Sequence, residues 1–428
     1  MSQAPVRPTP SSTTSAPSVA SGAALITSGT STLGVPTPVP SRSPQLLRRL
    51  QVVVALALLI AGALSVWVVT DLRGDLASAP NLAEQYARLG QVQHSLSAAA
   101  RLADQSVLLG ESADGANATA AIDQVVHASG LLVEAAKERP QDADAVQAIG
   151  GNVLRFSLVL SSAVGAPRAQ ALPRLATAQT QLGDLLGQID QLQAQLATEA
   201  AGRPWSQSTP AVALAGVAMA AVVAWVAWVV ARRSHRVLNL GLAAAVIALF
   251  VVIGLTATAQ DVAANASQAS RSTQFTHVVN TTNAVRHLDA AQQVLTTAVL
   301  TQAWNATTKN TYALEFTAAS AAARVEGLPQ PNDVDTAKEA LATRMNQGNW
   351  KAATTNLLDT GSDGLSAAAD AFRTSASTAS DGAVADAAAA PTDARASLVA
   401  ELVLIVAVAL AGAALGVLGL FQRLREYR

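Results

Sequence analysis

The side chains best suited to acid–base or metal chemistry are four histidines that lie between the apolar segments: His94, His127, His277 and His287. Two histidines on one face of a helix hold a metal ion when they are three or four residues apart, and no pair of these has that spacing. The chain contains no cysteine, which excludes disulfides, thiolate metal sites and cysteine nucleophiles. We expect the histidines at the solvated edges of helices, with no bound metal or cofactor.

The sequence carries no motif of an enzyme active site. It lacks a phosphate-binding loop, an HExxH pair, a nucleophile elbow and the segments that mark a kinase. Arg286 and Arg324 are able to receive a carboxylate, although exposed arginines usually form loose surface ion pairs. The prediction is a protein that is not an enzyme.

A basic cluster separates two long apolar runs in the middle of the chain. It consists of Arg232, Arg233, His235 and Arg236. Arginines beside a membrane contact anionic headgroups, which contributes about 1 kcal/mol for each residue. The same residues are candidates for coupling to a cytoplasmic partner that docks on the cluster. The sequence leaves both interpretations open.

Three further candidates lie in the last apolar run. Glu401 is an ionisable residue inside it, and a carboxylate within a membrane is a functional candidate unless it reaches the headgroups. Its place near one end of the run favours the headgroup interpretation. Gly412 and Gly416 form a GxxxG spacing, which lets the backbones of neighbouring spans approach closely. We expect these glycines to pack helices together.

The apolar runs are the elements that must position these residues. Each is about 20 residues long, the length that an α-helix needs to cross the hydrocarbon core of a bilayer. They occupy residues 46–70, 210–231, 237–257 and 397–421. Between them the chain is rich in alanine and poor in aromatic and β-branched runs, which favours helix over sheet. The predicted fold class is therefore an all-α membrane protein with four transmembrane helices.

The distribution of charge predicts how the spans are oriented. The short flanks of the runs carry ten Lys and Arg residues, whereas residues 71–209 and 258–396 carry nine each, with 14 and 13 acidic residues. Basic flanks stay in the cytoplasm. We expect the hairpin 232–236 and the tail 422–428 to be cytoplasmic, with both long segments outside the plasma membrane. Residues 1–45, rich in Pro, Ser and Thr, are expected to form a disordered cytoplasmic tail.

The first long segment has the periodicity of a helical bundle. Near its end, apolar residues recur every seven positions, which indicates a coiled-coil-like seam on one helix face. The members of this seam are Leu175, Leu182, Ile189 and Leu196. A similar pattern over Leu82, Leu89 and Leu96 begins the segment, and shorter helices are predicted over 116–138 and 142–164. Four helices with short connections form an up-down bundle.

The second long segment repeats this layout. Residues 258–396 match the first segment in length, and Val278, Leu288 and Leu295 mark a seam. Breaks between helices are predicted at Gly327–Pro331, Gly348, Gly361–Gly364 and Pro391. Counted between their flanking arginines, the two halves of the chain are 183 and 187 residues long. The prediction is a duplicated span–bundle–span arrangement with two extracytoplasmic helical bundles.

Several short stretches are similar to those of a known family. They are Tyr86-Ala87-Arg88-Leu89, Ala103-Asp104-Gln105, Leu108-Leu109-Gly110-Glu111, Ala135-Ala136, Pro140-Gln141-Asp142 and Arg236-Val237-Leu238-Asn239. Together with the four-span layout, they resemble the GlnX family of actinobacterial membrane proteins, which have two extracytoplasmic helical sensor domains. The resemblance implies a relay in which an amino-acid-binding lipoprotein outside acts through the membrane protein on the soluble kinase PknG inside.

The predicted function is a non-enzymatic transmembrane sensory relay that passes an extracytoplasmic signal, borne by an amino acid or a lipoprotein, to a cytoplasmic partner. The alternative is a cell-envelope scaffold whose external domains bind neighbouring proteins. A transporter would need polar or broken spans near the middle of the membrane, and these runs are uninterrupted. The expected partners are membrane lipids, a solute-binding lipoprotein, a cytoplasmic protein kinase and a second copy of the chain. We expect no nucleic acid.

Overall fold

The chain folds into long α-helices. In this computed structural model, which describes residues 43–202, 209–234, 240–359, 361 and 364–426, helix accounts for 92% of the described residues. None of those residues lies in a strand. The all-α class predicted from the sequence is confirmed.

Eleven α-helices follow one another along the described chain. They are α1 (Ser43–Leu109), α2 (Ala116–Glu138), α3 (Ala143–Ala163), α4 (Arg168–Gly202), α5 (Thr209–Ser234), α6 (Leu240–Gln268), α7 (Phe275–Thr301), α8 (Ala306–Val325), α9 (Asn332–Asn346), α10 (Trp350–Leu357) and α11 (Leu365–Glu426). A 3-10 turn at Pro140–Asp142 precedes α3, and a π-helix at Ala269–Gln274 joins α6 to α7 without a break. α6, the π-helix and α7 therefore form one continuous rod.

Three helical segments are long and apolar enough to cross a membrane: α1, the rod formed by α6, the π-helix and α7, and α11. They contain the stretches Arg48–Leu109, Ala243–Thr301 and Leu365–Gly419. A fourth helix, α5, has 26 residues, and the apolar stretch described within it is the shorter Gly216–Val226. These lengths and compositions indicate a membrane protein.

The apolar ends of four helices pack against one another. Leu58 of α1, Val226 of α5, Leu249 of α6 and Ala413 of α11 share one buried cluster. The opposite faces of these helices expose large apolar side chains, and Phe250 of α6 is 61% exposed. Apolar faces of this extent are stable against lipid but not against water. The packing therefore agrees with a membrane environment at this end of the molecule.

The helices continue from their apolar ends into the polar part of the chain. The domain boundaries predicted after residues 70, 257 and 396 fall inside α1, α6 and α11. Pro80 lies inside α1 and Pro391 inside α11, so the break predicted at Pro391 is wrong. A proline within a helix costs about 3 kcal/mol. Ala387 and Ala394 on either side of Pro391 are buried, so tertiary packing continues along α11 through the proline.

The membrane-distal helices enclose two apolar cores. The first core lies among α1, α2, α3 and α4, and it contains both predicted seams, with Leu89 and Ile189 fully buried and Leu182 5% exposed. The second core lies among α7, α8, α9, α10 and α11, around Leu288 and Leu295. The predicted burial of the seams is therefore confirmed, because the heptad pattern places these side chains on one face of each helix.

Glycines mark most of the breaks between helices, as the sequence predicted. Gly110, Gly165, Gly327 and Gly348 have φ between 65° and 77°, a left-handed conformation that a residue without Cβ adopts at little cost. The break after α7 was not predicted. Its left-handed residue is Gln302, with φ of 56°, so no glycine or proline signals it.

Candidate functional site

Two long helices, α1 and α7, lie side by side where the two cores meet. A Cβ added at Gly90 of α1 would come 2.3 Å from Cγ2 of Thr282 in α7, so the two backbones approach closely. The ring of Tyr86 meets that of Phe275 edge-on, with centroids 5.3 Å apart. Val278 of α7 belongs to the first core, although its helix builds the second. We call α1 and α7 the central pair.

Gly90→Ala is expected to destabilise the protein by about 1–3 kcal/mol, because the added methyl group overlaps Thr282 and the central pair must shift. Gly130→Ala on α2 is the matched control. No described atom lies within 4 Å of its added Cβ, so the better helix propensity of alanine is expected to stabilise by up to about 1 kcal/mol. Thermal unfolding of the purified protein measures both changes. Effects of the same sign and size would contradict the close packing.

A buried carboxylate, Asp289 of α7, lies at the centre of a charged cluster that joins three helices. It is 2% exposed. Nε and Nη2 of Arg373 in α11 donate to its Oδ1 at 2.8 and 2.6 Å, and Nδ1 of His94 in α1 lies 2.6 Å from its Oδ2. Nη1 of Arg101 lies 3.8 Å from Oδ1 and donates to Gln292 at 3.0 Å. We call these five residues the Asp289 cluster.

The charges in the Asp289 cluster depend on one another. Burial alone would raise the pKa of Asp289, but Arg373, His94 and Arg101 hold it well below its usual range. Burial lowers the pKa of Arg373, yet Asp289 and Asp370 more than compensate and raise it. Burial and the neighbouring Arg373 lower the pKa of Arg101 to about 10. Asp289 and both arginines are therefore ionised at neutral pH, and removing one leaves a buried charge without its partner.

A second polar contact joins the central pair to α4. Oδ1 of Asp190 in α4 accepts from Nε2 of Gln93 in α1 at 2.8 Å and from Nη1 of Arg286 in α7 at 2.7 Å. α4 and α11 thus both place charged side chains on the central pair, Asp190 and Arg168 from α4 and Arg373 from α11. These contacts fix the position of α4 and α11 relative to α1 and α7.

Asp104 of α1 is a buried carboxylate with no cationic partner among the described residues. It is 1% exposed, and Nε2 of Gln293 and of Gln179 donate to its Oδ2 at 2.8 and 3.2 Å. Its Oδ1 has no hydrogen-bond partner in the described part of the chain. Burial raises the pKa of Asp104 to about 7, against the opposing effect of the two amides. The carboxylate therefore changes its charge near neutral pH, where α1, α4 and α7 meet.

An open cavity of about 400 Å³ lies beside the Asp289 cluster. α1, α7 and α11 line it, and His94, Asp370 and Arg373 lie in its wall. Cavities of this size hold small molecules, and a few polar groups in the wall decide which ones. The cavity and the cluster together are the candidate functional site.

The predicted histidines on α7 pair with carboxylates. Nδ1 of His287 lies 2.7 Å from Oε2 of Glu315, and His277, 46% exposed, contacts Glu326. His94 differs from the expectation of a solvated histidine, because it belongs to the Asp289 cluster. Among the described residues, no group of three or more His, Cys, Asp or Glu side chains is placed to hold a metal ion.

The structure describes the predicted coupling residues in part. Arg232 is exposed at the end of α5, and its guanidinium lies 5.0 Å from the centre of the Trp228 ring, a cation–π contact. Arg233 lies in the last turn of α5, and its side chain is outside the described part of the structure. His235 and Arg236 are also outside the described residues.

The three candidates on α11 lie where this helix meets its neighbours. A Cβ added at Gly412 would come 2.4 Å from Cβ of Ala248 in α6, and one at Gly416 would come 3.2 Å from Cγ1 of Val54 in α1. The two glycines therefore lie at close contacts of α11 with α6 and α1. Glu401 is partly buried, and its Oε2 has no hydrogen-bond partner among the described residues.

Of the five residues in the Asp289 cluster, only His94 is a candidate from the sequence, and there it is expected to be solvated. Asp289 directly follows the seam residue Leu288, and Gln292 lies one helical turn further along α7. Arg373 lies in an alanine-rich stretch. Polar residues three apart beside an apolar seam are a signal for a second buried helix face, although a weak one. Asp104 lies in a stretch that resembles the GlnX family, and that resemblance assigns it no role.

Comparison of the chain with models of protein families, with curated proteins and with solved structures finds no match. A proposal for the function therefore rests on the geometry of the central pair.

Proposed function

We propose that this protein is a non-enzymatic transmembrane relay that passes a signal from outside the plasma membrane to a partner in the cytoplasm. The observation that carries the proposal is the central pair. α1 runs without a break into its apolar end, and α7 does so through the π-helix and α6. A shift between the two helices at Gly90 or at Asp289 thus has an unbroken helical path to the membrane segments.

The proposal includes four spans in a duplicated arrangement, with α5 as the fourth. In support, Val223 and Val226 of α5 pack in the same cluster as the apolar ends of the other three helices. Nε2 of Gln51 donates to the carbonyl of Val417 at 3.2 Å, so the start of α1 and the end of α11 lie together. Basic flanks favour the cytoplasm for this side, with both termini inside and both long segments outside.

A relay needs two arrangements of its helices that a partner binds with different free energy. The charged contacts of Asp289 and Asp190 are suited to this. A shift of the helices that breaks a buried ion pair is costly unless the second arrangement forms a new pair. The GlnX resemblance implies a solute-binding lipoprotein as the outer partner and a protein kinase as the inner one. A cell-envelope scaffold would need no mechanical link between its outer contacts and the membrane ends.

One cysteine at the inner end of α5 tests both topology and coupling. In Ser234→Cys, the introduced thiol is the only one in the chain. We expect a membrane-impermeant maleimide to label it in inside-out vesicles and not in intact cells. Adding Asp289→Asn, which weakens the link from α7 to Arg373, is expected to change the rate of labelling about fivefold.

The control for this experiment is Glu134→Gln, which removes an exposed contact between α2 and Arg88, leaves the Asp289 cluster intact and is expected to leave the rate unchanged. Labelling of position 234 in intact cells would contradict the topology. An unchanged rate in the Asp289→Asn background, in protein that is correctly inserted, would contradict the relay and favour the scaffold.

A further inference from the structure

α11 contributes more of the wall of the open cavity beside the Asp289 cluster than α1 or α7 does. Asp370, Thr374 and Ser377 are spaced four and three residues apart, so their side chains follow one another along one face of α11. Thr281 of α7 lies across from them in the same cavity. These four side chains form one polar side of the cavity, whose wall also contains Gln91, Thr282 and Ser380.

Three of the hydroxyl groups in this wall use their protons within their own helices. Thr374 donates to the carbonyl of Asp370 at 2.8 Å, and Ser377 donates to that of Thr374 at 3.0 Å. Thr281 donates to the carbonyl of His277 at 2.8 Å. A hydroxyl that donates its single proton to the backbone presents lone pairs to the cavity. These three groups therefore act as hydrogen-bond acceptors.

The carboxylate of Asp370 adds a negative charge to the same wall. Its Oδ1 accepts from Nη1 of Arg373 at 2.6 Å, and 67% of its side chain is exposed. Arg373 has little left to offer a ligand, because Nε and Nη2 donate to Asp289 and Nη2 also donates to Gln292. An anion on this side of the cavity would meet acceptors and would have to displace Asp370 from Arg373.

We infer that this cavity binds a small solute through an ammonium group, held by the Asp370 carboxylate and the hydroxyl oxygens of Thr374 and Ser377. An ammonium ion has three donors and no acceptor, which complements the carboxylate and the three acceptor hydroxyl groups on this side of the cavity. As the receiving site of the relay, the cavity rests on the function proposed above. A bound ammonium group competes with Arg373 for Asp370 and so acts directly on the Asp289 cluster.

Three probes of equal chain length and different head group test this inference. Butylammonium, 1-butanol and butyrate are added to the full-length protein in detergent at matched ionic strength, and thermal unfolding is measured. We expect butylammonium alone to raise Tm in a saturable manner, with half of the effect in the millimolar range because the ligand is small. In Asp370→Asn, the concentration for half of the effect is expected to rise about tenfold.

Asp386→Asn is the matched control, since it removes an exposed carboxylate from the opposite face of α11 and is expected to leave the response to butylammonium unchanged. Saturable stabilisation by butyrate, no saturable response to butylammonium, or an unchanged response in Asp370→Asn would each overturn the inference. The labelling of Ser234→Cys separates the two proposals. If Asp289→Asn changes the labelling rate but butylammonium does not bind, only the assignment of the cavity is wrong. If butylammonium binds but the labelling rate does not change, the cavity assignment is supported and the relay is contradicted.

Discussion

Arg373→Met is expected to lower the free energy of unfolding by about 3–5 kcal/mol, because it leaves a charged group buried without its main partner. Arg373 makes two hydrogen bonds to Oδ1 of Asp289, at 2.8 and 2.6 Å, and Asp289 is 2% exposed. Two other groups remain near the carboxylate: Nδ1 of His94 lies 2.6 Å from Oδ2, and Arg101 is 3.8 Å away and donates instead to Gln292. Methionine fills much of the volume of arginine, so the loss reports charge more than packing.

A double substitution separates these two contributions. Arg373→Met together with Asp289→Asn removes both charges, so it is expected to be at least about 1 kcal/mol more stable than Arg373→Met alone. A double variant that is no more stable than the single one would show that packing, and not electrostatics, holds α11 to the central pair.

Unfolding in guanidinium chloride is the suitable measurement, because Trp304 and Trp350 pack against the second core and report its loss by fluorescence. Arg88→Met is the matched control. Arg88 contacts three glutamates within the first core region, but its side chain is 20% exposed, so the expected change is about 1 kcal/mol or less. Similar losses at Arg88 and Arg373 would contradict a special role for the Asp289 cluster.

The sequence was sufficient to predict the helices and the faces that they bury. Leu182 and Ile189 were placed on a seam because apolar residues at heptad spacing share one helix face, and both are buried. Gly327 and Gly348 mark predicted breaks because glycine adopts the left-handed conformation that ends a helix, and both have that conformation. Both signals are local, since each depends on residues within a few turns of one another.

The centre of the site depends on contacts that no local pattern contains. His94 and Asp289 are 195 residues apart in the chain, and nothing in either neighbourhood names the other as its partner. A heptad pattern reveals one buried face, whereas α1 and α7 bury a second face against each other. A local signal was also wrong at Pro391. It predicts a break, but α11 is packed on both sides of the proline and stays helical through it. Tertiary contacts therefore determine both the pairing at the centre of the site and the continuity of α11, which local propensity does not predict.

Asp104→Asn is expected to remove a pH dependence of stability that the unchanged protein shows between about pH 4 and 7. Burial raises the pKa of Asp104 from 3.8 to about 7 in the folded chain. Between these values the folded chain binds a proton at Asp104 that the unfolded chain does not. Stability from this group is therefore complete below about pH 4 and is lost as the pH rises through 7. The whole loss is on the order of 4 kcal/mol at most.

The difference between the two unfolding curves isolates this group, because all other titrating residues are common to both proteins. An asparagine cannot ionise, so the variant is expected to be the more stable protein above pH 7 and to gain nothing from acid. Asp123→Asn, on an exposed face of α2, is the matched control for the loss of one carboxylate. If wild type and Asp104→Asn showed parallel stability curves from pH 4 to 8, Asp104 would not take up a proton on folding. The junction of α1, α4 and α7 would then hold a fixed charge that the amides of Gln179 and Gln293 are sufficient to solvate.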